Sequence, residues 1–149
     1  MIPYENYTNV IKLDIDNVNK YSEQKVREIL EKYGYEIDGI QVKPSKSLGM
    51  HVFIHLRQYI SIDLIPFLEA MLGSDIIRSC LIQWRINHNA YLDIFFNSVG
   101  VVNDKIPMRR GVNDVIKFMR CRCPELLEKL EFELGDPQKA YSFISDALN

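Results

Sequence analysis

The segment Val10-Ile11-Lys12-Leu13-Asp14-Ile15-Asp16 alternates apolar and polar residues without a break. Ile11, Leu13 and Ile15 fall on one side, and Lys12, Asp14 and Asp16 on the other. This is the period-two pattern of a strand with one covered and one open face. The covered face needs a second layer, and the next residues supply one. After Ser22, a good helix N-cap, Val26, Ile29, Leu30 and Tyr33 recur at i, i+3, i+4 and i+7, and Gly34 suits the left-handed position that ends a helix.

Ile37 to Val42 and Met50 to Leu56 read as two further strands. They are joined by Lys43-Pro44-Ser45-Lys46-Ser47-Leu48-Gly49, a turn-prone stretch, so a hairpin is expected. In the second strand His51, Phe53 and His55 share one face and Val52, Ile54 and Leu56 the other; either could be the core. Ser61 can cap a helix through Leu64, Ile65, Leu68 and Leu72 that stops at Gly73, and Ser74 can cap another through Ile77, Leu81 and Trp84. Ala90 to Phe96 reads as a fourth strand. Val112 to Arg120, Pro124 to Leu134 and Pro137 to Leu148 follow as helices, the last with Asp136 as N-cap and Pro137 in its first turn. Strands and helices mixed early and helices gathered late predict an α+β fold with an antiparallel or mixed sheet, flanking helices and a helical C-terminal region.

No repeat or low-complexity linker divides the 149 residues, and a hydrophobic fraction of 47% is enough for a real core. One domain over 1–149 is expected, with the sheet in about 8–100 and a helical tail in about 108–149. The N-terminus lacks the basic start and apolar run of a secretory signal, and the apolar runs are too short to span a bilayer. A soluble cytoplasmic protein without membrane partners is expected, in the host cytoplasm if the chain is viral or plasmid-borne. Cys80, Cys121 and Cys123 are odd in number, and Cys-Arg-Cys has neither disulfide-framework nor zinc-knuckle spacing, so all three read as reduced thiols.

The net charge of −2 is unevenly spread. Lys105, Arg109, Arg110, Lys117, Arg120 and Arg122 lie in one stretch against the single acid Asp114, and Glu125, Glu128, Glu131, Glu133 and Asp136 follow against Lys129. The basic stretch is either a solvated helix face or a patch that holds a phosphate backbone. The overall balance excludes a protein that coats DNA by charge alone.

Two carboxylates at i and i+2 of one strand lie about 6.6 to 7 Å apart on the same face, so Asp14 and Asp16 could converge on one or two hard cations. Mg²⁺ or Mn²⁺ accepts carboxylate and phosphate oxygens while keeping waters. The Ser45 to Gly49 turn leads directly into His51, and its backbone N–H groups could cradle phosphates. His55 reads as a structural histidine. Phe53, Trp84 and Tyr91 could stack on bases, although aromatics in such stripes are more often core.

Together Leu13-Asp14-Ile15-Asp16 and Ser45-Lys46-Ser47-Leu48-Gly49-Met50-His51-Val52-Phe53-Ile54, in that order, resemble the archaeo-eukaryotic primase (primase-polymerase) superfamily, in particular its small archaeal and viral-type members. The resemblance covers roughly residues 10 to 97. It implies an RRM-like sheet, Asp14 and Asp16 as metal ligands, and a catalytic role for His51. With Lys43, Ser45 or Ser47, Gly49 and Arg78, His51 would meet the phosphates of a nucleoside triphosphate. The third acid of the pattern is either Asp93, mid-strand after Leu92, or Asp75 in Leu72-Gly73-Ser74-Asp75. The implied activity is a primase- or polymerase-type nucleotidyltransferase using Mg²⁺ or Mn²⁺ on a DNA or RNA template or primer, in replication or repair, with a replication partner protein among the implied partners. Arg109, Arg110, Lys117, Arg120 and Arg122 would hold the nucleic acid. The alternative is an RRM-like nucleic-acid-binding or replication-accessory module without catalysis.

Overall fold

The computed structural model describes residues 6–45, 48–88 and 111–148. They fall into two compact units, one up to Asp75 and one from Ile76 onward. The first contains strands β1 (Tyr7–Ile15), β2 (Ile37–Pro44) and β3 (Met50–Ser61), with helices α1 (Glu23–Lys32) and α2 (Ile65–Met71). The second contains α3 (Ile76–Asn87), α4 (Val112–Arg122), α5 (Pro124–Leu134) and α6 (Pro137–Leu148). The architecture is α+β, as expected, and no helix among the described residues is long and apolar enough to cross a membrane.

The sheet order is β1-β3-β2, with β3 antiparallel to both neighbours. The element order β-α-β-β-α is the first five-sixths of the ferredoxin-like βαββαβ pattern. The residues expected to form a further strand, Ala90 to Phe96, lie outside the described residues. Register decides which face is core. Ile11, Leu13 and Ile15 of β1 line up with Ile54, Val52 and Met50 of β3, and Ile11, Leu13, Val52 and Ile54 are fully buried. Val26 and Leu30 of α1, with Ile65, Phe67 and Leu68 of α2, are buried in the same unit. Tyr33, at the end of α1, meets Phe67 edge to face at 6.0 Å. His51, Phe53 and His55 therefore occupy the opposite, partly exposed face.

Local signals act as their chemistry dictates. Ser22 accepts a hydrogen bond from the Lys25 amide and starts α1, and Gly34, at φ 82°, follows its end. Asp136 accepts from the Lys139 amide and starts α6. Ser61 caps a short 3-10 turn, Ile62–Leu64, which leads into α2. Ser74 departs from expectation. Its hydroxyl accepts from the Asp14 amide at 3.0 Å, so a side chain read as a helix cap seals the outer edge of β1 instead.

In the second unit Cys80, Val115, Met119, Cys123, Leu126, Leu130, Ala140 and Ile144 are buried to 1% exposure or less. A disulfide joins Cys80 of α3 to Cys123 at the α4–α5 junction, with 5.4 Å between their α-carbons. This corrects the reading of three reduced thiols. The missing signal is spatial. Helix α4 leaves Cys121 exposed and free, while Cys123 turns inward to a cysteine 43 positions away.

A candidate site at the end of the sheet

Asp14 and His51 are direct cross-strand partners. The Asp14 amide donates to the Ser74 hydroxyl at 3.0 Å, and its carbonyl accepts from the Asp75 amide at 3.0 Å. Both main-chain groups of Asp14 thus point away from β3. That makes Asp14–His51 the narrow, non-hydrogen-bonded kind of pair, in which side chains approach most closely. His51 Nε2 lies 3.5 Å from Asp14 Oδ1, with the side chains 29% and 23% exposed. A pair this open adds little to stability even when the imidazole is protonated. Both groups are accessible to a ligand from solvent.

Lys43 of β2 is the cross-strand partner of His51 on its other side. One row across the sheet therefore reads Asp14, His51, Lys43. The next row reads Lys12, Phe53, Gln41, and the Lys43 ammonium stands 5.4 Å from the centre of the Phe53 ring. A carboxylate, an imidazole, two ammonium groups and an aromatic ring share one face.

The turn beside this row is closed by its own hydrogen bonds. The Ser45 amide donates to the Gly49 carbonyl at 3.0 Å, and the Gly49 amide donates to the Ser45 hydroxyl at 3.1 Å. Those two amides, considered above as a phosphate cradle, are engaged within the turn. Gly49 is required for a reason the sequence does not display. A β-carbon there would come within 2.4 Å of the Ile15 carbonyl oxygen and 3.3 Å of the Asp16 α-carbon. The turn is thereby held against the end of β1. Leu48, at φ 64° and 93% exposed, forms its tip.

Among the other expected site residues, Asp16 lies in a bend one position beyond β1. The strand ends at Ile15 rather than at Asp16, so the alternation that would set the two aspartates on one face stops one residue short. Asp75 is brought to the site, its backbone bonded to that of Asp14. Arg78 belongs to α3 of the second unit, and Lys117, Arg120 and Arg122 to α4. Ser47, Asp93, Arg109 and Arg110 lie outside the described residues. Trp84, considered for base stacking, stacks on His88 at 4.0 Å. The tie between Ser74-Asp75 and Asp14, and the aromatic-basic row beside His51, are what the linear reading missed; the register of β3 supplies the second.

No group of three or more His, Cys, Asp or Glu placed to hold a metal ion is found among the described residues. The donors present still fit a hard divalent cation of the Mg²⁺ kind, which is held by one or two carboxylates together with substrate phosphates and waters rather than by an all-protein cage. Asp14 is the carboxylate that stands beside His51 on the partly open face. No protein-family model, no curated protein and no solved structure matches this chain.

Proposed function

We propose that this chain is a metal-dependent nucleotidyltransferase of primase-polymerase type, acting on a DNA or RNA template in replication or repair. The observation that carries the reading is the Asp14–His51 pair, set beside the Ser45–Gly49 turn at one end of a sheet whose other face is core. Asp14, aided by Asp16 or by Asp75 or Asp93 as a further acid, holds the divalent ion. Mg²⁺ or Mn²⁺, when bound, supplies neutralisation of phosphate charge and activation of the attacking 3′-hydroxyl. His51 and Lys43, adjacent in one row, present donors to the triphosphate, and the short turn fixes where they stand. The nucleotide's orientation comes from these groups being on strands, which hold position better than loops. Cytoplasmic location and a replication partner protein belong to the same reading.

The test is Mn²⁺-dependent incorporation of a labelled nucleotide on a primed template. Loss of incorporation in Asp14→Ala, with folding unchanged, supports the reading; incorporation equal to that of the parent protein contradicts it. A second reading, a nucleic-acid-binding module without catalysis, is supported by the row Lys12, Phe53 and Gln41 with the Lys43 ammonium beside it, which needs no metal ion. It predicts salt-sensitive binding that Asp14→Ala leaves unchanged.

A further inference from the structure

We infer that Cys121 is a thiol–disulfide exchange site, through which a low-molecular-weight dithiol or disulfide opens and closes the buried Cys80–Cys123 bond. The inference concerns the helical unit alone and does not depend on the nucleotide reading.

The three cysteines divide between them what such a device needs. Cys80 and Cys123 are bonded to each other and both 0% exposed. Exchange requires that a thiolate reach one of the two sulfurs, and a reagent in solution has no access to either. Cys121 is exposed and free. It stands in the last turn of α4, two positions before Cys123. The cysteine that a reagent can reach is therefore tethered to the bond that the reagent cannot reach.

The backbone sets the condition for the handover. Residues i and i+2 of a helix have α-carbons about 5 to 6 Å apart, within disulfide reach, but their side chains point to different sides. Joining them requires backbone movement, and the junction is built to move. Cys123 is at once the C-cap of α4 and the N-cap of α5, at φ −146° and ψ 58°, and its side chain gives α5 no cap hydrogen bond. Its amide donates to the Met119 carbonyl at 2.7 Å, and Pro124, next in the chain, has no amide to donate. Releasing the Cys123 amide unwinds only the last turn of α4. Helix ends open in this way at far lower cost than a whole unit does.

The steps balance with a dithiol as the only co-reactant. The Cys121 thiolate attacks Cys123 Sγ, which forms a Cys121–Cys123 bond and releases the Cys80 thiolate to take up a proton. The dithiol then attacks the Cys121 sulfur at the surface, and Cys123 leaves and is protonated. The second thiol of the reagent displaces Cys121 and closes the reagent's own disulfide. Two electrons pass from the dithiol to the Cys80–Cys123 pair, and the reverse sequence, driven by a disulfide, oxidises it.

The experiment is reduction of the full native chain by dithiothreitol without denaturant, quenched with iodoacetamide and counted by mass spectrometry. Cys121→Ser should be reduced about ten-fold more slowly than the parent protein. A tethered thiol meets the bond at millimolar or higher effective concentration, whereas a thiol in solution meets it only when the unit unfolds. Reoxidation of the reduced parent by glutathione disulfide should pass through a glutathione adduct on Cys121 that disappears as Cys80–Cys123 returns. In Cys80→Ser the same reagent should leave a Cys121–Cys123 bond, identified by peptide mapping. Unfolding rates of the parent and Cys121→Ser in denaturant, expected to be equal, separate slower exchange from greater stability. Equal reduction rates in the two proteins, or a slower reduction matched by an equally slower unfolding, would overturn the inference. So would reoxidation of Cys80–Cys123 in Cys121→Ser at the parent rate, a result that stays decisive if Cys80→Ser does not fold.

Discussion

The two compact units solve the same problem by different means. In the unit up to Asp75, a three-stranded sheet buries one face under α1 and α2 and leaves the other partly open. In the unit from Ile76, four helices turn their apolar stripes inward around Cys80, Met119, Leu130 and Ile144, and a disulfide ties α3 to the α4–α5 junction. A sheet with one covered face must display polar side chains in fixed rows on the other, whereas a bundle displays only the outer stripes of its helices. The first unit accordingly carries a concentrated set of different functional groups. The second carries charge, with Lys117 and Arg120 exposed on α4 and Glu125 and Glu128 exposed on α5.

The sharpest way to break this contrast is Gly49→Ala. The new β-carbon meets a backbone carbonyl, which cannot step aside as a side-chain end would. Unfolding in denaturant should show a loss on the order of 4 kcal/mol or more, the range reserved for strain and overpacking, and far-ultraviolet dichroism should lose strand signal before helix signal.

Reduction of Cys80–Cys123 is expected to act on the other unit. Closing a loop with a separation of 43 residues is worth about 2 to 4 kcal/mol, so a reducing agent should lower the stability of the helical unit by that amount. Thiol titration in denaturant should count one reactive cysteine before reduction and three after it. Three thiols without reduction would mean that the bundle is held by packing alone.

Much of the local structure in both units was legible from its residues. The alternation at Val10 to Ile15, the stripe after Ser22 with Gly34 behind it, and the hairpin ending at Met50 each follow from local chemistry, and α5 and α6 begin at Pro124 and Pro137, where those prolines suit a first turn. What could not be read was long-range. Val52 against His51 as the buried face was undecidable until the β1–β3 register fixed it. Ser74 looks like a helix cap in any window of ten residues; only the arrival of β1 gives it a better acceptor and donor. Cys80 and Cys123 carry no spacing that announces a pair. For the site, Asp14 and His51 were legible as facing groups, whereas the strand end that sets Asp16 apart, the contact of Gly49 with β1, and the approach of Asp75 to Asp14 arise from tertiary geometry.

Ser74→Ala probes that geometry with a smaller effect. It leaves the Asp14 amide without its Ser74 acceptor at a part-buried edge, and should cost about 1 to 2 kcal/mol in denaturant unfolding. The same variant should reduce nucleotide incorporation more than its stability loss explains, because Asp14 sits on the freed edge. Normal activity at unchanged stability would show the edge bond to be dispensable.

The smallest effects belong to the second unit's surface. Lys117→Gln and Arg120→Gln lie on exposed positions of α4 and should shift stability by less than about 0.5 kcal/mol. If α4 touches the nucleic-acid backbone, each should reduce the slope of log affinity against log salt by roughly one. An unchanged slope would confine binding to the sheet face.

The central claim is that Asp14 and His51 form one nucleotide-handling site, and crystals soaked with Mn²⁺ and a nucleoside triphosphate test it most directly. The account predicts anomalous density for Mn²⁺ against the Asp14 carboxylate, with the triphosphate in contact with His51. Metal and nucleotide bound together elsewhere, with the Asp14–His51 pair undisturbed, would contradict it.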